Sequence, residues 1–192
     1  MSFSTICRVA SFTYSIAMWR RCHVERFAHI SQDSPQHLTV QSCINALQAG
    51  YRHIDGAQVY GNEAEVGEGV RKSGIPRKDI FITSKVMRPG NDAESTYQKC
   101  LESVKKIDGD NGYLDLMLIH NVTSGAAGIK MLWQAMERLY EEGKFKAIGV
   151  SNTGIGMMEE MKSYAKVWPP HVEQIEVRNV FEYDFESKLT QK

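Results

Sequence analysis

The chain has 192 residues, of which 42% are hydrophobic, and this is enough to bury the core of one globular domain. Lysine and arginine together number 23, and aspartate and glutamate together also number 23, so the formal net charge is zero. This balance excludes the basic surface that a nucleic-acid or anionic-membrane partner needs, and we predict neither partner.

The first 36 residues carry little structural signal. Their longest uncharged stretch, residues 9–19, is too short for a membrane span, and their arginines and serines give only a faint similarity to a transit peptide. We therefore interpret residues 1–36 as an atypical N-terminal extension of a cytoplasmic protein. The cysteines of the chain lack a C-x-x-C pair, which predicts reduced, mostly buried thiols and neither a disulfide framework nor a metal site. They are Cys7, Cys22, Cys43 and Cys100.

Helix-like segments follow, and each begins or ends at a recognisable residue. The first is expected from about residue 38 to residue 49, and another contains Tyr97, Leu101 and Val104. Glycines stand where a left-handed residue ends a helix, and Asn91 and Asp92 stand where a cap begins one. The apolar positions at helical spacing include Val40, Cys43, Ile44, Leu47, Tyr97, Leu101 and Val104, and the terminal glycines are Gly50, Gly74 and Gly143.

Strand-like runs alternate with these helices. Three of them, G-Y-R-H-I-D, I-F-I-T-S-K and L-D-L-M-L-I-H, end at Asp55, Lys85 and His120, a fourth ends near Asn152, and a fifth covers residues 172–177. The spacing of the ends is close to one βαβ unit of roughly 30 residues, which predicts a parallel α/β sheet with helical crossovers. An open doubly wound sheet would carry a glycine-rich phosphate turn, but the nearest candidate, residues 67–69, lies in a helical pattern and indicates close helix packing.

Four polar residues fall at the carboxyl ends of these runs: Asp55, Tyr60, Lys85 and His120. In a barrel of parallel strands they would share one rim, which is where such barrels carry their active sites. Hydride delivery to a carbonyl carbon creates negative charge on oxygen, so the site needs a proton donor and stabilising groups. Tyr60 is the natural donor, Lys85 would favour its ionised form, Asp55 would orient Lys85, and His120 would align the substrate oxygen.

Each of the four also has an ordinary structural reading. An isolated aspartate at a strand end is often a turn former, and an isolated lysine there is usually solvated. A tyrosine after a strand usually packs, and a lone histidine is most often a hydrogen-bonded structural residue. The chemistry therefore depends on the four occurring together.

Long stretches around these residues resemble the aldo-keto reductase family. They are residues 50–63 (G-Y-R-H-I-D-G-A-Q-V-Y-G-N-E), 73–85 (S-G-I-P-R-K-D-I-F-I-T-S-K), 113–121 (Y-L-D-L-M-L-I-H-N) and 139–152 (L-Y-E-E-G-K-F-K-A-I-G-V-S-N). The resemblance covers residues 37–178. It implies a (β/α)8 barrel, a small-molecule carbonyl substrate, NADPH as cofactor, and the four residues as a catalytic tetrad. It further implies that Ser151, Asn152 and Gln174 hold the nicotinamide carboxamide.

The sequence also departs from the family pattern. Only five strand runs are legible, so we expect about five or six of the eight βα units, with residues 37–178 forming a partial barrel and residues 179–192 a divergent polar tail. Glu173 stands where asparagine usually precedes Gln174, and its charge is expected to disturb the carboxamide pocket. We expect such a chain to fold poorly or to self-associate through exposed barrel edges.

Two functions are consistent with these observations. The first is an NADPH-dependent reductase of aldehydes or ketones, which the retained tetrad favours. The second is a catalytically inactive shortened member of the family, or an interaction subunit, which the short chain favours.

Overall fold

A computed structural model describes residues 4–9, 27–29 and 36–177 of the protein. Five α-helices and seven β-strands make up these residues, with short 3₁₀ turns at Gln58–Tyr60 and Arg77–Asp79. The strands are β1 (Ser4–Val9), β2 (Phe27–His29), β3 (His53–Asp55), β4 (Phe81–Val86), β5 (Leu116–Ile119), β6 (Ile148–Ser151) and β7 (Val172–Val177). The helices are α1 (Gln36–Gln48), α2 (Glu63–Lys72), α3 (Ala93–Asp108), α4 (Gly125–Glu141) and α5 (Ile155–Lys162).

The strands form one sheet in the order β1-β7-β6-β5-β4-β3-β2. From β2 to β7 each strand pairs in parallel with the next one along the chain, and one of the five helices lies in each crossover. Strand β1 pairs with β7 in the antiparallel direction. The sheet curls as a partial barrel of the (β/α)8 type, so the predicted fold class is confirmed.

Alternate residues of the strands face two different cores, as the period of a β-strand requires. The larger core lies between the sheet and the helices, and it includes Ile54, Ile82, Ile119, Leu132, Trp133 and Met136. The smaller core lies on the concave side of the sheet. It consists of Phe81, Leu116, Leu118, Ala147 and Val172.

Glycines let α2 approach its two neighbours closely, as the sequence predicted. A β-carbon at Gly67 would lie 2.3 Å from the carbonyl oxygen of Ile107 in α3. One at Gly69 would lie 2.5 Å from Cβ of Cys43 in α1. Both distances are far below van der Waals contact, so glycine is required where these helices meet.

The predicted helix ends are also confirmed. Gly50, Gly74 and Gly143 have φ angles of 96°, 76° and 75° in the left-handed region. Asp92 caps α3 by accepting a hydrogen bond of 2.7 Å from the backbone N–H of Ser95. Helix α1 begins at Gln36, two residues earlier than expected.

Charged side chains join the amino-terminal ends of β4 and β5. This edge of the sheet is opposite the carboxyl ends of the strands, where Asp55, Lys85 and His120 lie. Arg77 contacts Asp115 at 2.9 Å and Asp108 at 3.3 Å. Asp115 also accepts a hydrogen bond of 3.0 Å from the backbone N–H of Ile82. Charge-assisted bonds of this kind hold the two strands in register.

The first 36 residues contain two strands that the sequence did not predict. Strands β1 and β2 lie within this segment, at the two ends of the sheet order, although neither shows a clear strand pattern in the sequence. Residues 1–3, 10–26, 30–35 and 178–192 are outside the described residues, and they include Cys22 and the predicted polar tail 179–192. No helix among the described residues is long and apolar enough to cross a membrane.

The cysteine prediction can be checked for two of the four residues. Cys43 and Cys100 are buried, free thiols. Burial raises the pKa of each thiol to about 12, so both remain protonated at neutral pH.

Candidate active site

The candidate site is a layer of polar side chains on the concave side of the sheet, at the carboxyl ends of the strands. Asp55 is the last residue of β3, Lys85 is the penultimate residue of β4, and His120 directly follows β5. Ser151 is the last residue of β6, and Gln174 lies in β7. Because these strands are adjacent and parallel, residues far apart in the chain meet in one layer.

A buried ion pair occupies the middle of this layer. Nζ of Lys85 donates a hydrogen bond to Oδ1 of Asp55, and the two side chains are only 3% and 2% exposed. The same nitrogen donates to the carbonyl oxygen of Gly56 at 3.0 Å. Two acceptors therefore fix the direction in which the buried ammonium points.

Tyr60 and His120 lie beside this ion pair. Tyr60 ends the 3₁₀ turn after β3, and the centre of its ring is 5.8 Å from Nζ of Lys85. The imidazole of His120 stands edge to face with the same ring, with 5.9 Å between the ring centres and an angle of 85° between the planes. The structure thus brings together the four residues that the sequence singled out, while their catalytic roles stay predictions.

The three residues predicted to hold a carboxamide also lie close together. Nδ2 of Asn152 donates to Oγ of Ser151 at 3.2 Å, and the backbone N–H of Asn152 donates to the carbonyl oxygen of Gln174 at 3.0 Å. Nε2 of Gln174 donates to Oδ2 of Asp55 at 3.2 Å, which connects this group to the ion pair. One hydroxyl and two primary amides offer the donors and acceptors that a carboxamide needs, so the donor set fits a nicotinamide.

Asn152 has a backbone conformation that most residues avoid. Its φ angle of 51° lies in the left-handed region, which asparagine tolerates better than most residues do. This conformation follows the end of β6 directly and turns the chain away from the sheet. The side chain of Asn152 is exposed at the rim, where a bound molecule could reach it.

Glu173, whose charge was expected to disturb the carboxamide pocket, directly precedes Gln174 in β7. Gln174 points into the concave layer, because it bonds Asp55, and the preceding residue of a strand points to the opposite face. Burial raises the pKa of the Glu173 carboxyl, and a hydrogen bond from the backbone of Thr153 opposes this rise. The Glu173 side chain therefore lies on the helix side of β7, near Thr153, and the effect of its charge on the carboxamide pocket stays a prediction.

A histidine beneath the ion pair was not predicted. His53 lies on the same face of β3 as Asp55, and its Nε2 is 2.8 Å from Oγ1 of Thr83. Burial lowers the pKa of His53 to about 4, with nearby Asp55 raising it and Lys85 lowering it. The imidazole is therefore neutral at pH 7 and supports the layer above it without adding charge. Its strand position was visible in the sequence, but its burial was not.

Gln58 and Glu63, which flank Tyr60, were not predicted to have a role; Gln58 forms a part-buried hydrogen bond with Ser103, and Glu63 forms a buried one with Ser84. Both stand in the segment G-A-Q-V-Y-G-N-E, but the spacing alone does not show which of its polar side chains are buried. Among the described residues no group of three or more histidine, cysteine, aspartate or glutamate side chains is arranged to hold a metal ion.

Comparison with known proteins identifies the family. The family model for the aldo/keto reductase family matches residues 32–192. An uncharacterized oxidoreductase of Bacillus subtilis is 43% identical over 157 residues, which are 80% of this chain and 51% of that protein. Glyoxal reductase of the same organism is 41% identical over 147 residues, which are 77% of this chain and 49% of that enzyme. The chain spans about half the length of these curated relatives.

Solved structures give the same result. An aldo/keto reductase from Brucella melitensis superposes with a TM-score of 0.72 and 39% identity, covering 79% of this chain and 56% of that one. A Bombyx mori aldo-keto reductase, solved in complex with NADP, gives a TM-score of 0.69 and 28% identity, covering 79% and 54%. The resemblance seen in the sequence is confirmed, and the chain belongs to the aldo/keto reductase family.

Proposed function

We propose that the chain reduces an aldehyde or ketone to the corresponding alcohol with NADPH, and that it also supports the reverse reaction. The observation that carries this proposal is the buried Asp55–Lys85 ion pair beside Tyr60 and His120 at the carboxyl ends of parallel strands. The similarity of the chain to glyoxal reductase and to an aldo-keto reductase solved with NADP supports this chemistry and this cofactor.

Tyr60 is the proton donor in this proposal. A free phenol has a pKa near about 10 and is a weak acid at neutral pH, but a neighbouring cation favours its ionised form. Lys85 supplies that cation, and Asp55 with the Gly56 carbonyl fixes its position. The phenol gives its proton to the carbonyl oxygen of the substrate, and solvent later returns a proton to the phenolate.

His120 orients the substrate. Its ring packs edge to face on Tyr60, so both side chains can reach one small polar atom between them. A hydrogen bond from the imidazole to the carbonyl oxygen would hold that oxygen next to the phenol and stabilise the negative charge that develops there.

Ser151, Asn152 and Gln174 would hold the carboxamide of the nicotinamide ring. Bound NADPH supplies the hydride that adds to the carbonyl carbon. Gln174 also donates to Asp55, so the residues for the cofactor and the residues for the proton are joined by one hydrogen bond. This connection would fix the distance between the two halves of the site.

The test is to titrate the purified 192-residue chain with NADPH by nucleotide fluorescence and to measure turnover with glyoxal and with larger aldehydes. We expect saturable binding. In the variant Tyr60→Phe we expect unchanged NADPH binding and kcat lower by about 100-fold or more, which is the usual contribution of general acid catalysis.

Tyr97→Phe is the matched control, because it removes the hydroxyl of a tyrosine that bonds Glu142 at 2.6 Å, between α3 and α4. Its kcat should equal that of the wild type. A folded chain that neither binds NADPH nor turns over an aldehyde would contradict the proposal and favour the catalytically inactive alternative.

A further inference from the structure

A partly buried hydrogen-bond network lies around the turn that carries Tyr60. Gln58, two residues before Tyr60, donates from Nε2 to Oγ of Ser103 and to the carbonyl oxygen of Lys99, both at 2.8 Å. Ser103 and Lys99 are one turn apart in α3, and Ser103 is completely buried. The turn is therefore anchored to the middle of α3 on the N-terminal side of Tyr60.

Glu63 anchors the turn on the other side. It follows Tyr60 by three residues, begins α2 and is only 5% exposed. Oγ of Ser84 donates to its Oε1 at 2.6 Å, and the nearby Ser103 hydroxyl lowers the pKa of its carboxyl group. Ser84 directly precedes Lys85 in β4, so Glu63 connects the turn to the strand that carries the cation.

Ser103 lies between the two anchors, since its hydroxyl accepts from Gln58 and lowers the pKa of the nearby Glu63 carboxyl. Two backbone hydrogen bonds tighten the turn between them, from Tyr60 N–H to Ala57 at 3.0 Å and from Gly61 N–H to Gln58 at 3.1 Å. The backbone of Tyr60 is thus held on both sides, at fixed distances from α3 and from β4.

Resting on the function proposed above, we propose that Gln58, Ser103, Glu63 and Ser84 are positioning residues, which hold the Tyr60 phenol in place relative to Lys85. Proton transfer requires the phenol to lie within hydrogen-bond reach of the substrate oxygen. A displacement of the phenol by about 1 Å lowers the rate on the order of 100-fold, so contacts that hold this turn rigidly increase the rate.

The energetics of Glu63 agree with such a role. Burial raises the pKa of its carboxyl above the usual range, and hydrogen bonds from Ser84 and Ser103 oppose the rise. A buried carboxyl group is costly unless every polar atom is satisfied, and an apolar side chain would fill the same space more cheaply. The hydroxyl groups near Glu63 fix the orientation of its carboxyl group. An apolar side chain would fill the space without this fixed orientation.

The experiment compares the wild-type chain with Gln58→Met and Ser103→Ala. Methionine keeps the length of glutamine and removes both donated hydrogen bonds. We expect kcat with glyoxal to fall by about 10- to 100-fold, as a misplaced donor requires. The KM for glyoxal and the Kd for NADPH should change by less than about twofold, because no network residue belongs to the proposed carboxamide set.

A second readout does not depend on turnover. The ionisation of the Tyr60 phenol is followed by ultraviolet absorbance as the difference between each protein and its own Tyr60→Phe counterpart. In the network variants we expect ionisation at higher pH than in the wild type, because the phenol is no longer held near the Lys85 ammonium. Glu63→Gln, which keeps the shape of the side chain and an acceptor for Ser84, should retain more activity than Glu63→Ala.

Glu137→Gln is the matched control for disturbing a buried carboxyl group. Glu137 is 3% exposed and accepts hydrogen bonds from the backbone N–H groups of Lys166 and Val167 at 2.6 and 2.8 Å. This change should lower stability without altering kcat or the ionisation of Tyr60. A merely structural role for the network predicts the same pattern for Gln58→Met.

The outcomes separate this inference from the proposed function. Folded network variants with unchanged kcat and unchanged Tyr60 ionisation would overturn the positioning role even if the chain is an active reductase. If the wild type shows no turnover, the ionisation still decides, since a shift supports the positioning role and its absence overturns it. If Ser103→Ala fails to fold, Gln58→Met is decisive because Gln58 is only half-buried.

Discussion

The Asp55–Lys85 pair shows how a single contact can serve stability and chemistry together. Removing two charges from water costs several kcal/mol for each ion, and their attraction offsets this cost only while both partners are present. Here Asp55 also accepts from Gln174, and Lys85 also donates to Gly56. Each buried charge thus has a second partner, which satisfies it in the folded chain before any ligand binds.

Replacing Asp55 with asparagine should therefore destabilise the chain strongly. Asp55→Asn removes the negative partner and leaves a buried ammonium, which we expect to lower the free energy of unfolding by about 3–5 kcal/mol. Urea unfolding at pH 7 measures the change. Glu68→Gln is the control, since it breaks an ion pair with Lys72 in which both side chains are largely exposed, and it should leave the unfolding midpoint unchanged. Equal effects of the two changes would contradict the prediction.

His53 makes the stability of the chain depend on pH. Its pKa in the folded state is about 4, below the ordinary value of 6.5, so the unfolded state binds more protons between these two values. Stability from this residue is therefore complete above pH 6.5 and falls as the pH is lowered to 4. A shift of this size corresponds to roughly 3 kcal/mol.

The measurement for His53 is urea unfolding of the wild type and His53→Gln at several pH values between 7 and 4. Glutamine keeps a polar group near Thr83 but does not titrate. The advantage of the wild type over the variant should shrink as the pH falls. Because Glu63 titrates in both proteins, with a raised pKa and the opposite sign of effect, the difference isolates His53. A difference that stays constant with pH would show that His53 is not buried as a neutral imidazole.

At the scale of helices and strands, the sequence predicted most of the arrangement, because local signals and tertiary packing agree. Helix ends at Gly50, Gly74 and Gly143 and the cap at Asp92 were legible, since each depends on the conformation of one residue. The strands β3 to β7 were legible because buried parallel strands are short apolar runs between such ends. Strands β1 and β2 lack these signals, so they could be identified only from the structure.

The network around Tyr60 could not be predicted by the same means. Glu63 opens a helix, a position where an acidic side chain is normally solvated and favoured by the helix dipole. Its burial depends on Ser84 and Ser103, which are 21 and 40 residues further along the chain. The tetrad was accessible because all of its members lie at or near strand ends, whereas its supporting residues lie on four different elements, the 3₁₀ turn, α2, β4 and α3.

The glycines of α2 give a prediction at the scale of helix packing. Gly67→Ala would place a methyl group against the backbone of Ile107, so α2 and α3 must separate, which we expect to cost about 1–3 kcal/mol. Gly156 lies in α5 with nothing within 4 Å of a β-carbon, so Gly156→Ala should instead stabilise the chain by up to about 1 kcal/mol. Thermal unfolding distinguishes the two signs. A neutral or stabilising Gly67→Ala would show that the two helices do not meet at this glycine.

For the whole molecule, the order of the strands matters more than their number. Pairs β3-β4, β4-β5, β5-β6 and β6-β7 place the carboxyl ends of five strands side by side, and this alone gathers the tetrad and the three carboxamide residues. The sheet order ends at β1 and β2 and does not close within the described part of the chain. The candidate site lies between these two ends and uses only strands that have neighbours on both sides.

The sheet edges lead to a prediction about association. A strand at the end of a sheet presents unpaired backbone N–H and C=O groups, which can pair with a second copy of the chain. We therefore expect the average mass measured by sedimentation velocity and light scattering to rise with protein concentration.

An alternative contact between copies is the outer surface of helix α5, where Ile155 is 45% exposed. If association uses the edges, Ile155→Lys should self-associate to the same extent as the wild type. A variant that stays monomeric would assign the contact to α5, and a wild-type mass that is monomeric at every concentration would exclude self-association through the edges under those conditions.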